Sequence, residues 1–126
     1  MKVKDKVVVV TGGASGIGRA MARRFAVEGA AHVAVADLDG QRAAAVAKEF
    51  GGSHRQVDVS KEADIQALID ETERNHGPIA LFCSNAGIGI GRGIDASDED
   101  WQKIWEVNLM SHVYAARNLI PRMVKR

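Results

Sequence analysis

The strongest constraint on this chain sits near its start, where Val7-Val8-Val9-Val10 runs directly into Thr11-Gly12-Gly13-Ala14-Ser15-Gly16-Ile17-Gly18. Four successive β-branched residues predict a strand covered on both faces, since a half-exposed strand would alternate with polar residues. The glycines allow a tight turn, and residues 16–28 then follow a helical pattern ended by Gly29. Ile17, Met21 and Phe25 share one face of that helix, with Arg19 and Arg23 on the other. A strand, a glycine turn and a helix in this order aim the unpaired N–H groups of the helix start at whatever lies in front of them, and a phosphate suits that position. Gly12 serves the turn out of the strand. Gly16 and Gly18 stand where the backbone must approach a pyrophosphate or the helix must pack close on the sheet. A ligand-free turn of the same shape is the alternative reading of the glycines alone.

The alternation continues. Strands are predicted over residues 33–36, 55–57 and 79–83, and helices over 16–28, 41–50 and from Ser60, a candidate N-cap, to His76-Gly77-Pro78. Ile65, Leu68, Ile69 and Thr72 mark the buried face of the third helix. Residues 87–95 form a glycine-rich loop, and Ser97 with Asp100 matches a capping box ahead of one long helix reaching about residue 124. Strand–helix alternation predicts an α/β fold: a Rossmann-type, doubly wound parallel sheet of four strands alternating with helices, incomplete, in a single domain over residues 1–126.

Composition narrows the partners. The net charge is +1 with the signs interspersed, which gives no electrostatic reason for nucleic acid or an anionic membrane. No apolar run approaches the roughly 18 residues of a membrane span, and the run behind the basic start is too short for a secretory signal. Cys83 is the single cysteine, which fits a reducing, cytoplasmic setting. His32, His54, His76 and His112 lack metal-ligand spacing, and Asp98-Glu99-Asp100 reads as a set of helix N-terminal acids, so no metal is expected.

Asp37 sits at the end of the second strand, 19 residues after Gly18. Dinucleotide-binding folds place an acid about 20 residues on, against the ribose hydroxyls. A carboxylate there repels a 2′-phosphate, and Ala36, Leu38, Asp39 and Ser15 offer no compensating cation, so NAD is favoured over NADP. The alternative for Asp37 alone is a turn residue at a strand end.

Residues 11–18 resemble the Thr-Gly-x-x-x-Gly-x-Gly motif of the short-chain dehydrogenase/reductase family. Asn85-Ala86-Gly87 after the fourth strand is similar to that family's Asn-Ala-Gly motif. Asp58-Val59 after the third strand and Val107-Asn108 in the long helix also match, in the family's order. The resemblance implies hydride transfer between NAD(P) and a small alcohol or carbonyl substrate, by an enzyme that is often a homo-oligomer, a dimer or a tetramer. It implies that Gly12, Ser15, Gly16, Ile17 and Gly18 line the pyrophosphate and ribose, and that Asp37 and Leu38 hold the adenosine ribose. Asp58 and Val59 would meet the adenine, although Asp58 also reads as an acid at a helix start. Asn85, Ala86 and Gly87 would run beside the nicotinamide ribose, while Asn85 equally suits a sheet-bracing role.

Asn108 falls among Trp101, Ile104, Trp105, Leu109, His112, Val113 and Ala116, an apolar helix stripe, and is expected to be a buried amide in need of partners. The resemblance assigns it a catalytic part, positioning a water in a proton relay. The family's tyrosine acid/base and its lysine four residues later have no counterpart. Tyr114 is the single tyrosine, and Asn118 stands four residues after it. The resemblance thus covers the first half of a family member, truncated before the catalytic pair. The chain alone is expected to be inactive, and residues 79–83 to form an exposed edge that makes it marginal, dimeric or aggregation-prone. A catalytically silent NAD-binding module is the rival; a methyltransferase with a similar first turn leaves Asn85-Ala86-Gly87 and Asn108 unexplained. The substrate pocket would be lined only in part by residues 88–95, so substrate and stereochemistry stay open.

Overall fold

In the computed structural model, which describes residues 1–126, the four strands form one parallel sheet. They are β1 (Val7–Thr11), β2 (His32–Asp37), β3 (Ser53–Gln56) and β4 (Ile79–Cys83), in the order β3-β2-β1-β4. β1 is therefore central, and all five of its residues are buried, as the unbroken valine run demands. The chain reverses its direction of travel across the sheet between β1 and β4, which opens a crevice at the carboxyl ends of these strands.

Helices cover both faces, α1 (Gly16–Val27) and α2 (Gly40–Lys48) on one and α3 (Glu62–His76) and α5 (Ser111–Lys125) on the other, while α4 (Asp98–Trp105) buries no residue. The core is correspondingly split in two. Val8, Val10, Val33 and Val35 pack with Ala22, Ala43, Val46 and Ala47 of α1 and α2. Val7, Val9, Ala34 and Ala36 face Ile65, Leu68 and Ile69 of α3 and Leu119 of α5. Successive side chains of one strand thus feed opposite cores, the period-2 rule applied to a two-sided sheet.

Several local expectations are corrected. The third strand starts two residues early, at Ser53, and stops at Gln56. Ser60 does not cap α3; Lys61 holds that position, and the Ser60 hydroxyl donates instead to Asp58. Ser97 does cap α4, accepting from the Asp100 N–H at 3.1 Å. The long helix runs from Asp98 to Lys125 as expected, with a π-helical turn, Glu106–Met110, inside it between α4 and α5. Trp101, Trp105 and Leu109 of the apolar stripe are exposed, and Ile17 is 74% exposed at the start of α1.

Candidate functional site

The crevice is an open cleft of about 760 Å³ above the carboxyl ends of β1, β2 and β4. Gly12, Ser15, Gly16, Ile17, Gly18, Asp37, Leu38, Asp58, Val59, Asn85, Ala86 and Gly87 all line it. Residues scattered over 76 positions of sequence meet there because four parallel strands end on the same side.

The glycine turn is built by close approach. A Cβ on Gly18 would lie 2.1 Å from the Gly12 carbonyl oxygen, and one on Gly12 would lie 2.9 Å from Ala86 Cα. Gly12 and Gly16 have φ of +64° and +53°, a region glycine enters without strain. Nothing lies within 4 Å of a Cβ built on Gly16, so its backbone faces open space. The Ser15 side chain makes no capping bond to α1. The first intrahelical bond runs from Arg19 N–H to Ser15 O, so the N–H groups ahead of it are those a helix start leaves for an external acceptor. Such a turn fits a diphosphate.

Thr11 ties this turn to β4. Its buried hydroxyl accepts from Asn85 N–H (3.0 Å) and Ala86 N–H (3.2 Å) and donates to Cys83 O (3.3 Å). The Asn85 amide donates back to Thr11 O at 3.0 Å. Asn85 thus braces the sheet and lines the cleft at once. Cys83 is half-buried and packs on the inner face of β4; burial pushes its thiol pKa up.

Both acids at the cleft already carry bonds. Asp37 Oδ2 accepts from Ala14 N–H and Oδ1 from Asp39 N–H, each at 3.0 Å. Asp58 Oδ1 accepts from the Ser60 hydroxyl (2.6 Å) and Ser60 N–H (3.0 Å). The Ser60 hydroxyl bond holds the Asp58 carboxyl below its usual range, against the opposing effect of partial burial. Asp58 therefore does organise the start of α3, as the alternative reading proposed, and it faces the cleft as well.

Asn108 is exposed, which corrects the expectation of a buried amide. It is nevertheless satisfied at both ends: its Oδ1 accepts from Ile88 N–H and its Nδ2 donates to Ile88 O, both at 2.8 Å. A side-chain amide here completes the pairing of a single loop residue, and it fixes the segment that leaves β4 through Asn85-Ala86-Gly87. Asn108 lies within the π turn. The Ser111 hydroxyl takes the Val107 carbonyl at 2.6 Å, satisfying backbone that the widened turn disturbs.

Tyr114 is not at the cleft. It packs against the core beneath α5, with the Arg117 guanidinium 5.9 Å from its ring centre. Asn118 donates to Tyr114 O and to Glu62 of α3. Sequence reasoning missed Val57, Ser60 and Lys103, which also line the cleft, as do Val107 of the helix motif and Ile88 of the loop expected to line part of the substrate pocket. Val107 and Lys103 were legible in part, since they precede Asn108 by one and five residues; the π turn inside this helix was not.

Comparison with known proteins bears on the same residues. A family model described as short chain dehydrogenase matches residues 6–126. The chain is 39% identical over 130 residues to the NADP-dependent (R)-specific alcohol dehydrogenase of Lentilactobacillus kefiri, covering 97% of this chain and 50% of that enzyme. It is 38% identical to 3beta-hydroxysteroid dehydrogenase 1 of Eggerthella lenta, covering 98% and 50%. Among solved structures, a short chain dehydrogenase/reductase from Burkholderia phymatum in complex with NAD superposes with a TM-score of 0.88 at 32% identity, over 96% of this chain and 45% of that one. A short-chain dehydrogenase from Novosphingobium aromaticivorans superposes with a TM-score of 0.92 at 30% identity, over 99% and 48%. The chain therefore spans about half the length of these relatives.

Proposed function

The chain belongs to the short-chain dehydrogenase/reductase family, and from that premise we propose that residues 1–126 form the dinucleotide-binding half of an oxidoreductase. The whole enzyme moves a hydride between a nicotinamide cofactor and a small alcohol or carbonyl substrate. The observation that carries this reading is the cleft, where a glycine-rich turn, an open helix start and two acids converge. When bound, the nicotinamide supplies the hydride chemistry; the protein binds and orients.

In this reading the N–H groups of residues 15–18 hold the pyrophosphate. Asp37 and Leu38 hold the adenosine ribose, and Asp58 and Val59 flank the adenine. Asn85, Ala86 and Gly87 pass beside the nicotinamide ribose, in a loop that Asn108 secures through Ile88. NAD is the preferred cofactor, because the Asp37 carboxylate lines the cleft with no basic residue adjacent in sequence. The relatives include both an NAD complex and an NADP-dependent enzyme.

The 126 residues bind but do not turn over in this proposal, because Tyr114 faces the α3–α5 core and no lysine follows it four residues on. The reading also includes a homo-oligomer, supported by the exposed Trp101 and Trp105 of α4, and a cytoplasmic setting suited to an unpaired thiol at Cys83. Titration with NADH and NADPH, followed by the emission of the reduced nicotinamide, tests the central claim. NADH should bind at least tenfold more tightly than NADPH; binding of neither defeats the proposal.

A further inference from the structure

The turn between β1 and α1 is fastened to the end of β2 by two successive bonds. Gly13 N–H donates to Ala36 O at 3.1 Å, and Ala14 N–H donates to Asp37 Oδ2 at 3.0 Å. The first bond is backbone to backbone and survives any residue at position 37. The second exists only if that side chain is an acceptor. Ala14 is buried, so without the carboxylate its N–H has no other protein partner. The segment that follows, Ser15 to Gly18, is the one whose N–H groups face the cleft, and it continues directly from Ala14.

An ionised carboxylate offers about four lone-pair sites. Ala14 and Asp39 use one on each oxygen of Asp37, which leaves one on each oxygen for a pair of vicinal hydroxyls. We propose that Asp37 is a positioning residue for the phosphate-facing turn as well as the ribose acceptor, so that recognition of the diol and of the diphosphate are coupled through one side chain. This rests on the dinucleotide reading above.

Opposite signs make the idea testable. Removing a carboxylate that acted only on the diol relieves charge repulsion and leaves a diphosphate without hydroxyls bound as well or better. Removing a brace weakens it. The probe is 2′,3′-dideoxyadenosine diphosphate, with ADP alongside, titrated against the 126-residue chain and its Asp37→Ala and Asp37→Asn variants. Hydrogen exchange of the Ala14 amide is read in parallel. The inference expects Asp37→Ala to weaken the dideoxy probe about tenfold and to expose the Ala14 amide. It expects Asp37→Asn, which keeps one acceptor oxygen and folds with the same shape, to stay within about threefold of the parent. Equal or tighter binding of the dideoxy probe by Asp37→Ala, or an Ala14 amide as protected as before, overturns it. If the parent chain binds neither nucleotide, the dinucleotide reading fails, and the Ala14 amide then decides the brace by itself.

Discussion

Replacing Thr11 by valine conserves shape and removes one oxygen, and the structure assigns that oxygen three bonds. It accepts from Asn85 N–H and Ala86 N–H and donates to Cys83 O. Valine leaves both amides without an acceptor, at a side chain that is 1% exposed. A buried donor left unpaired costs about 1–3 kcal/mol. Asn85 and Ala86 are themselves half-buried, which puts each near the lower end and the pair at about 2–3 kcal/mol. For a domain of this size about 1 kcal/mol moves the melting temperature by roughly 4 °C, so Thr11→Val should melt about 8–12 °C lower. Urea denaturation and a thermal scan measure both quantities. Thr11→Ser is the matched control: it keeps the hydroxyl, loses one methyl, and should cost about 1 kcal/mol. The reasoning is refuted if valine lies within about 0.5 kcal/mol of the parent, or if serine is as damaging as valine.

Gly18→Ala should abolish dinucleotide binding and destabilise the chain severely, because its Cβ meets the Gly12 carbonyl oxygen at 2.1 Å. Gly16→Ala has room and should cost only about 1–2 kcal/mol for its positive φ; circular dichroism melts separate the two, and equal losses would contradict the close-approach argument. Asn108→Ala should speed exchange of the Ile88 amide and cost about 1–2 kcal/mol, since both bonds it loses are to Ile88; an unchanged Ile88 amide would show that the side chain does not hold the loop. Acid should lower the stability of the fold in two stages. Burial first, and then the His76 ring stacked on it, lower the His32 pKa, so the folded state binds that proton less readily than the unfolded one. This stability is complete above the ordinary imidazole value of about 6.5 and is lost as pH falls through the depressed one. Burial pushes the Glu73 carboxyl up, but Ile79 N–H, Arg126 and Arg122 outweigh it, so a second loss follows as pH falls below the carboxylate range. His32→Asn should erase only the first stage in a pH series of urea midpoints.

The order of strands and helices was legible because it rests on local pattern. The valine run, the glycine turn and the i, i+3, i+4 spacing of α3 depend on neighbours within a few residues, and the structure keeps all of them. The twelve cleft residues could be gathered from motif order, because a parallel α/β sheet leaves few ways to connect its strands. Boundaries were less secure: Ser60 has the chemistry of a cap, but Asp58 competes for its hydroxyl and wins.

Other features were decided only in three dimensions. A lone asparagine in an apolar helix looks buried, yet Asn108 is exposed and paired to a loop residue 20 positions earlier. The π turn that contains it is flanked by a Ser111 hydroxyl bonded to the Val107 carbonyl. Position and charge single out Asp37 as a candidate ribose acceptor, but its grip on Ala14 spans 23 residues and leaves no mark in either segment. Sequence alone determined the elements, their order and the kind of ligand they suit, since these follow from short-range periodicity and turn chemistry. Which lone pairs are already spent, and on which amides, was settled only when β1, β2 and β4 ended side by side. Hydrogen bonds are decided by distance in space, and sequence separation carries almost none of that information.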